Sequence, residues 1–147
     1  MTDPYHFDTC GLDNIYLTNG FKHITHNGLR TVVIEDEPEL YQAICRYLCG
    51  KAFLSGKEFR YLRTEMRMSQ SRLGAVLGVS ENMVSLWERG NKIPKLTLAL
   101  VKAIYLDSIG IEYEMKKLLM TDETPKPDKA YFFIGDGFAW RLKEENE

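Results

Sequence analysis

Three serines, Ser55, Ser69 and Ser80, each stand at the head of a short run with helical apolar spacing. Between the second and third runs the chain has little more than Gly78-Val79 in which to turn. Ser55-Gly-Lys-Glu58 has the spacing of a capping box, in which serine and glutamate each satisfy a backbone N–H of the other. Phe59, Leu62 and Met66 then mark the inner stripe of a first helix. Ser69 caps a second helix that ends at Gly78, and Ser80 caps a third that ends at Gly90. Leu73, Leu77, Val79, Val84 and Trp87 supply the apolar faces between the second and third. A small residue is needed at Gly74, because the next helix crosses close to it. Gly78 suits a tight turn with left-handed backbone.

Two short, separately capped helices meeting at such a turn have the geometry of a helix-turn-helix. Charge points the same way. Between residues 57 and 102 there are nine basic side chains against four acidic ones, a surplus of +5. The whole chain is −2, so the remainder carries −7. A basic middle in an acidic chain suits an anionic partner for the middle alone. The 147 residues are enough for one ordinary domain, or a small one with an appendage. No run of eighteen apolar residues is present. The opening MTDPYHFDTC lacks a basic region followed by an apolar stretch. Three cysteines without framework spacing read as reduced thiols. The expected location is therefore cytoplasmic, associated with the nucleoid.

Around this centre the sequence predicts a β-rich N-terminal module over residues 1–50 that ends in a helix, a helical domain over 54–120, and a linker with a C-terminal β-hairpin over 121–147. Strands are expected at 15–18, 21–26 and 29–34, with Asn19-Gly20 and Asn27-Gly28 as hairpin signals. Asp36 can cap the helix that follows, with Pro38 early, an apolar stripe of Leu40, Tyr41, Ile44, Tyr47 and Leu48, and Gly50 at its end. Pro94 precedes a further helix with Leu96, Leu100, Val101 and Ile104 at helical spacing, and another spans 111–120. TDETPKPDK is a polar linker. AYFFIGDGFAWRL is two aromatic strands around Gly135-Asp136-Gly137. A lone ribbon is marginal in water, so this hairpin must pack on the N-terminal strands or on a second subunit.

LRTEMRMSQSRLGAVLGVSENMVSLWERGNKIP resembles the lambda-repressor-like (Cro/CI, XRE) helix-turn-helix family over roughly residues 54–104. Ser69-Gln70, Leu73-Gly74, Leu77-Gly78-Val79-Ser80, Val84 and Trp87-Glu88 followed by Gly90 and Pro94 carry the likeness. It implies a mainly α, five-helix domain, α+β once the β-rich ends are included. It also implies that Gln70 bonds a DNA phosphate, and that Arg63 and Glu88 form a buried structural ion pair rather than reading DNA. The third helix would lie in the major groove. Asn82 suits adenine, Glu81 a cytosine amino group, Ser85 either partner, and Leu86 a thymine methyl. Ser80 heads that face. Arg89, Lys92, Lys95, Arg67 and Arg72 are candidates for phosphate.

Other constellations are weaker. Cys45 and Cys49 share a helix face and, with Cys10 and one of His6, His23 or His26, could hold zinc. No Cys-x-x-Cys knuckle is present, and thiols packed as small apolar groups are the preferred reading. No catalytic constellation and no cofactor site is expected. The layout resembles MqsA-type antitoxin regulators, without their paired zinc cysteines. The resulting expectation is a non-enzymatic, dimeric repressor of an inverted-repeat operator on double-stranded DNA. The alternative is an antitoxin that binds a toxin through its β-rich ends.

Overall fold

The computed structural model describes residues 3–119, 130–137 and 139–144. The polar linker at 121–129 lies outside them. The chain divides into two compact units, Met1–Ile44 with Pro127–Glu147, and Cys45–Lys126. The second unit is inserted in the chain of the first, and the boundary falls within a helix.

The first unit is built on a four-stranded sheet of order β1-β2-β5-β6, formed by Tyr5–His6, Ile15–Leu17, Tyr131–Gly135 and Trp140–Leu142. β1 and β2 are antiparallel, β2 and β5 parallel, β5 and β6 antiparallel. The aromatic C-terminal hairpin thus packs on the N-terminal strands, one of the two expected solutions. Ile15 and Leu17 alternate inward on β2, and Phe133, Trp140 and Phe7 join them in the core. The inner stripe of α1 (Glu37–Cys49) begins with Leu40 and Ile44, both fully buried.

β3 (Phe21–His26) and β4 (Leu29–Ile34) form a separate two-stranded ribbon. Asn27 and Gly28 both take positive φ, 51° and 79°, as a two-residue hairpin turn with right-handed strand twist requires. Asn19-Gly20, the other hairpin signal, departs from expectation, because it joins strands of different sheets. Its asparagine is engaged as a surrogate backbone. The Asn19 amide donates to Gly135 O at 2.8 Å, and its Oδ1 accepts from Gly135 N at 2.7 Å, which prolongs the β2–β5 pairing. Asp36 also departs from an ordinary N-cap. Its φ is 44°, and its carbonyl accepts from Leu40 N.

The second unit holds α2 (Gly56–Glu65), α3 (Gln70–Leu77), α4 (Glu81–Glu88), α5 (Lys95–Ser108) and the short α6 (Met115–Leu119). All three serine caps are made. Ser55, Ser69 and Ser80 accept from the backbone N–H of Glu58, Arg72 and Met83. The Ser55–Glu58 box is reciprocal, with Ser55 N donating to Glu58 Oε1 at 2.9 Å. Each cap contributes about 1 kcal/mol. Met66 is the C-cap of α2 rather than part of its inner stripe, where Tyr61 is buried instead. The expected helix over 111–120 is shorter, with residues 111–114 outside it.

On α5 the buried face is Leu98, Ala99, Val101, Lys102, Tyr105 and Leu106, while Leu96 and Leu100 point outward. Lys102 is only 1% exposed, so it adds nothing to the basic surface. Its ammonium donates to the Lys51 carbonyl just beyond α1, a favourable place for a cation. Burial pushes its pKa down.

Burial also pushes the Cys45 and Cys49 thiols up, Cys49 to about 12. Near pH 8 neither has an appreciable thiolate population, and the thiolate is the reactive form. Burial raises the Cys10 thiol too, but Cys10 is only half-buried, so we expect a thiol-reactive dye at pH 8 to label Cys10 first, and Cys45 and Cys49 far more slowly, in the folded protein. All three cysteines should label after unfolding in guanidinium. Rapid native labelling of two or more thiols would contradict this packing.

Candidate nucleic-acid interface

The interface is assembled from three short helices that meet at two tight contacts. The first is the turn after α3. Gly78 has φ 74°, and Val79 N donates to Gly74 O at 2.8 Å. A Cβ placed on Gly74 would lie 2.7 Å from Val79 O, so only glycine lets the turn pass. The sequence reading of both glycines rests on this geometry. The second contact had no signal in the sequence. Gly56, the first residue of α2, faces the last carbonyls of α4; a Cβ there would lie 2.8 Å from Trp87 O and nearer still to Glu88 O. The positive end of α2 therefore abuts the negative end of α4, a favourable arrangement of helix dipoles.

Val84 and Trp87 are the buried side chains of α4, and the Trp87 ring meets Phe59 of α2 edge-on at 6.0 Å. Beside them, Arg63 grips Glu88 with two hydrogen bonds, Nε to Oε2 at 2.6 Å and Nη2 to Oε1 at 3.0 Å. The two side chains are 10% and 5% exposed. Arg63 Nη1 also donates to Met68 O at 2.9 Å, which ties in the α2–α3 link. Gln70 completes the node by donating from Nε2 to Glu88 Oε1 at 3.2 Å. Gln70 is thus held in place at the start of α3, with its own Oε1 and second amide hydrogen left for another group.

This node floors an open polar cleft of about 570 Å³, lined by Lys57, Arg60, Arg63, Ser69, Gln70, Glu81, Ser85, Glu88 and Arg89. Lys57 and Arg60 were absent from the sequence-derived site. Their spacing was the available signal, since residues 57, 60 and 63 form one row along a helix. Arg89 folds back, and its Nε donates to Ser85 O at 3.4 Å near the end of α4. Glu81, Asn82 and Met83 are exposed, and Ser85 and Leu86 half-buried. Met83, at 40% exposure, is a further exposed side chain of α4 with no signal in the sequence pattern. Ser80 spends a lone pair on Met83 N and keeps its hydroxyl hydrogen to donate. Arg67, Arg72, Lys92 and Lys95 are exposed but do not line the cleft.

Residues 59–106 match a family model described as Helix-turn-helix. This segment is a helix-turn-helix of the lambda-repressor-like type. It occupies about a third of the chain and lies wholly in the second unit. Neither the curated proteins nor the solved structures compared with the chain give a match. A helix-turn-helix of this kind supports DNA binding and transcription regulation through this segment. No helix among the described residues is long and apolar enough to cross a membrane.

A buried pair that loses one partner leaves the other charge stranded, at a cost of about 3–5 kcal/mol. We expect Glu88→Ala to destabilise the protein by about that amount in urea titration. Gly56→Ala should also lower the melting temperature, since backbone carbonyls occupy the space of its Cβ. An unchanged unfolding midpoint for Glu88→Ala would show that the Arg63 contact does not hold α4.

Proposed function

We propose that the protein is a dimeric repressor that reads an inverted-repeat operator with α4 in the major groove. The observation that carries this reading is the division of labour on α4. Val84 is buried, Trp87 and Glu88 are turned toward α2, and Glu81, Asn82, Ser85 and Leu86 are left on the outer side. That outer face offers one amide for a bidentate adenine contact, one carboxylate for a cytosine amino group, a hydroxyl, and an apolar surface for a thymine methyl. It has little positive charge at its centre. Affinity then comes from groups around it: Gln70, Arg72, Arg89 and Lys92, with Lys57 and Arg60 across the cleft. Gln70 is suited to a phosphate because Glu88 fixes its orientation at the start of α3, whose backbone N–H groups favour an anion.

One such helix reads only a few base pairs, so a two-fold partner on a second half-site, about one helical turn away, supplies the remaining specificity. Leu96 and Leu100, 56% and 38% exposed and one helical turn apart on α5, support pairing of two copies through the second unit. Exposed Ile111 and Tyr113 follow α5 in the chain. Exposed apolar groups of this kind mark association surfaces when they are contiguous.

We expect Asn82→Ala to weaken binding to a duplex selected from a random library by about tenfold, with an unchanged melt; one good bidentate base contact is worth about 1–3 kcal/mol. Equal affinity for parent and variant would overturn this docking of α4. Replacing Leu96 and Leu100 together by Glu should convert a dimer to a monomer in sedimentation velocity. Operator affinity should fall by about a hundredfold or more as linked binding is lost.

A further inference from the structure

The most exposed regular structure in the first unit is the β3–β4 ribbon. Ten successive residues, 22–31, are exposed, and near the root the Tyr5 ring meets His23 edge-on at 6.3 Å. At about 3.4 Å per residue its free length is about 14 Å. Its base, by contrast, is fastened. Glu35 N donates to Gly20 O at 2.8 Å, the Trp140 indole donates to Glu35 O at 2.9 Å, and the Phe21 ring sits 5.5 Å from Tyr5. The type of turn and the six-rung register fix its shape as well. It is a preformed arm on a firm root.

Its charge is opposite to that of its surroundings. The first unit has five basic and twelve acidic residues, net −7. Yet residues 14–34 contain no acid at all, and the arm carries Lys22, Arg30, His23 and His26. Among the described residues neither Lys22 nor Arg30 has an ion-pair partner. Lys22 and Arg30, its two cations, lie on opposite faces. Lys22 and His26 alternate with Ile24 on one face, whereas His23 and Arg30 lie on the other. Cations on both sides of a narrow ribbon suit two flanking walls of negative charge. A protein partner would instead need one face large enough for about 800 Å² of contact. Ile24, Leu29 and Val33, interspersed with Lys22 and His26, do not make such a face.

We propose that the β3–β4 ribbon is a second DNA-contacting element of this chain, inserted in a groove of the same duplex. Lys22 and Arg30, on opposite faces, meet phosphates on the two groove walls, and Leu29, beside the turn at the tip, meets base edges. The width is right, since the major groove admits a two-stranded ribbon as readily as a helix. Exposed aliphatic groups have a partner there in the thymine methyl. This proposal rests on the reading of the second unit as the duplex-binding module.

The test uses the full chain and the library-selected duplex, extended by 15 base pairs of flanking sequence on each side. Affinities of the parent, Lys22→Ala/Arg30→Ala and Asn82→Ala are measured from about 50 to 200 mM salt, a range over which phosphate contacts are read out. The arm variant should bind at least tenfold more weakly at the low-salt end. Its slope of log affinity against log salt should be shallower by about two, one unit for each lost phosphate contact. Hydroxyl-radical footprints should lose protection over a few flanking base pairs and keep it at the centre. Parent-like affinity, slope and footprint for the arm variant, with Asn82→Ala weakened, would overturn the proposal and leave the reading of α4 standing. A parent that binds no duplex would overturn both. If Leu29→Asp changes the mass of the particle in sedimentation but not its DNA affinity, the arm is a protein contact and the proposal fails.

Discussion

The orientation of α4 depends on one bidentate bond. The helix is eight residues long and is gripped by two buried apolar side chains, Val84 and Trp87. Two such contacts leave a short cylinder free to roll. Glu88 removes that freedom, because a carboxylate that meets a guanidinium edge-on can satisfy it at one angle only. The same arginine reaches back to Met68 O, and the same carboxylate holds Gln70, so α2, α3 and α4 are indexed to one node. Which residues of α4 face outward follows from where Glu88 is pinned.

The node also sets the electrostatic character of the site. Arg63 and Lys102 are both cations of the basic middle, but each is buried and directed at an acceptor inside the protein. The surface field therefore comes from a smaller set of side chains on the periphery, among them Lys57, Arg60, Arg89 and Lys92. Glu81 stands among them as an exposed carboxylate on the outer side of α4. An acid there repels phosphate at every sequence, and this is offset only where a base edge offers a hydrogen to accept. The docking proposed for α4 therefore favours discrimination over raw affinity.

The parts legible in the sequence are those set by neighbours in the chain. Caps at Ser55, Ser69 and Ser80, the left-handed turn at Gly78 and the space at Gly74 are all decided within a few residues, and each has a residue type that answers to it. What was not legible is decided by distant residues. The two-residue strand β1 has no period to recognise, and the parallel partner of β2 lies over a hundred residues away. Asn19-Gly20 has the composition of a hairpin turn, yet its amide is drawn to Gly135, and that attraction is invisible locally. Lys102 counts as surface charge in any composition, whereas its place on the inner stripe of α5 buries it. Leu96 shows the reverse, an apolar residue in the right period for a core but on the wrong side of the helix.

The pairing of β2 with β5 has a consequence for how the chain is made. Thr18 and Phe133, hydrogen-bonded in the sheet, are 115 residues apart. As the polypeptide leaves the ribosome, β2 emerges well before its parallel partner β5. The inserted helical unit, rich in local contacts, can complete its structure in that interval. Until residues 131–135 have been made, the β2 edge and the Ile15 and Leu17 side chains have no β5 against which to close. The nascent chain thus holds the helices of the second unit before it can hold a closed sheet.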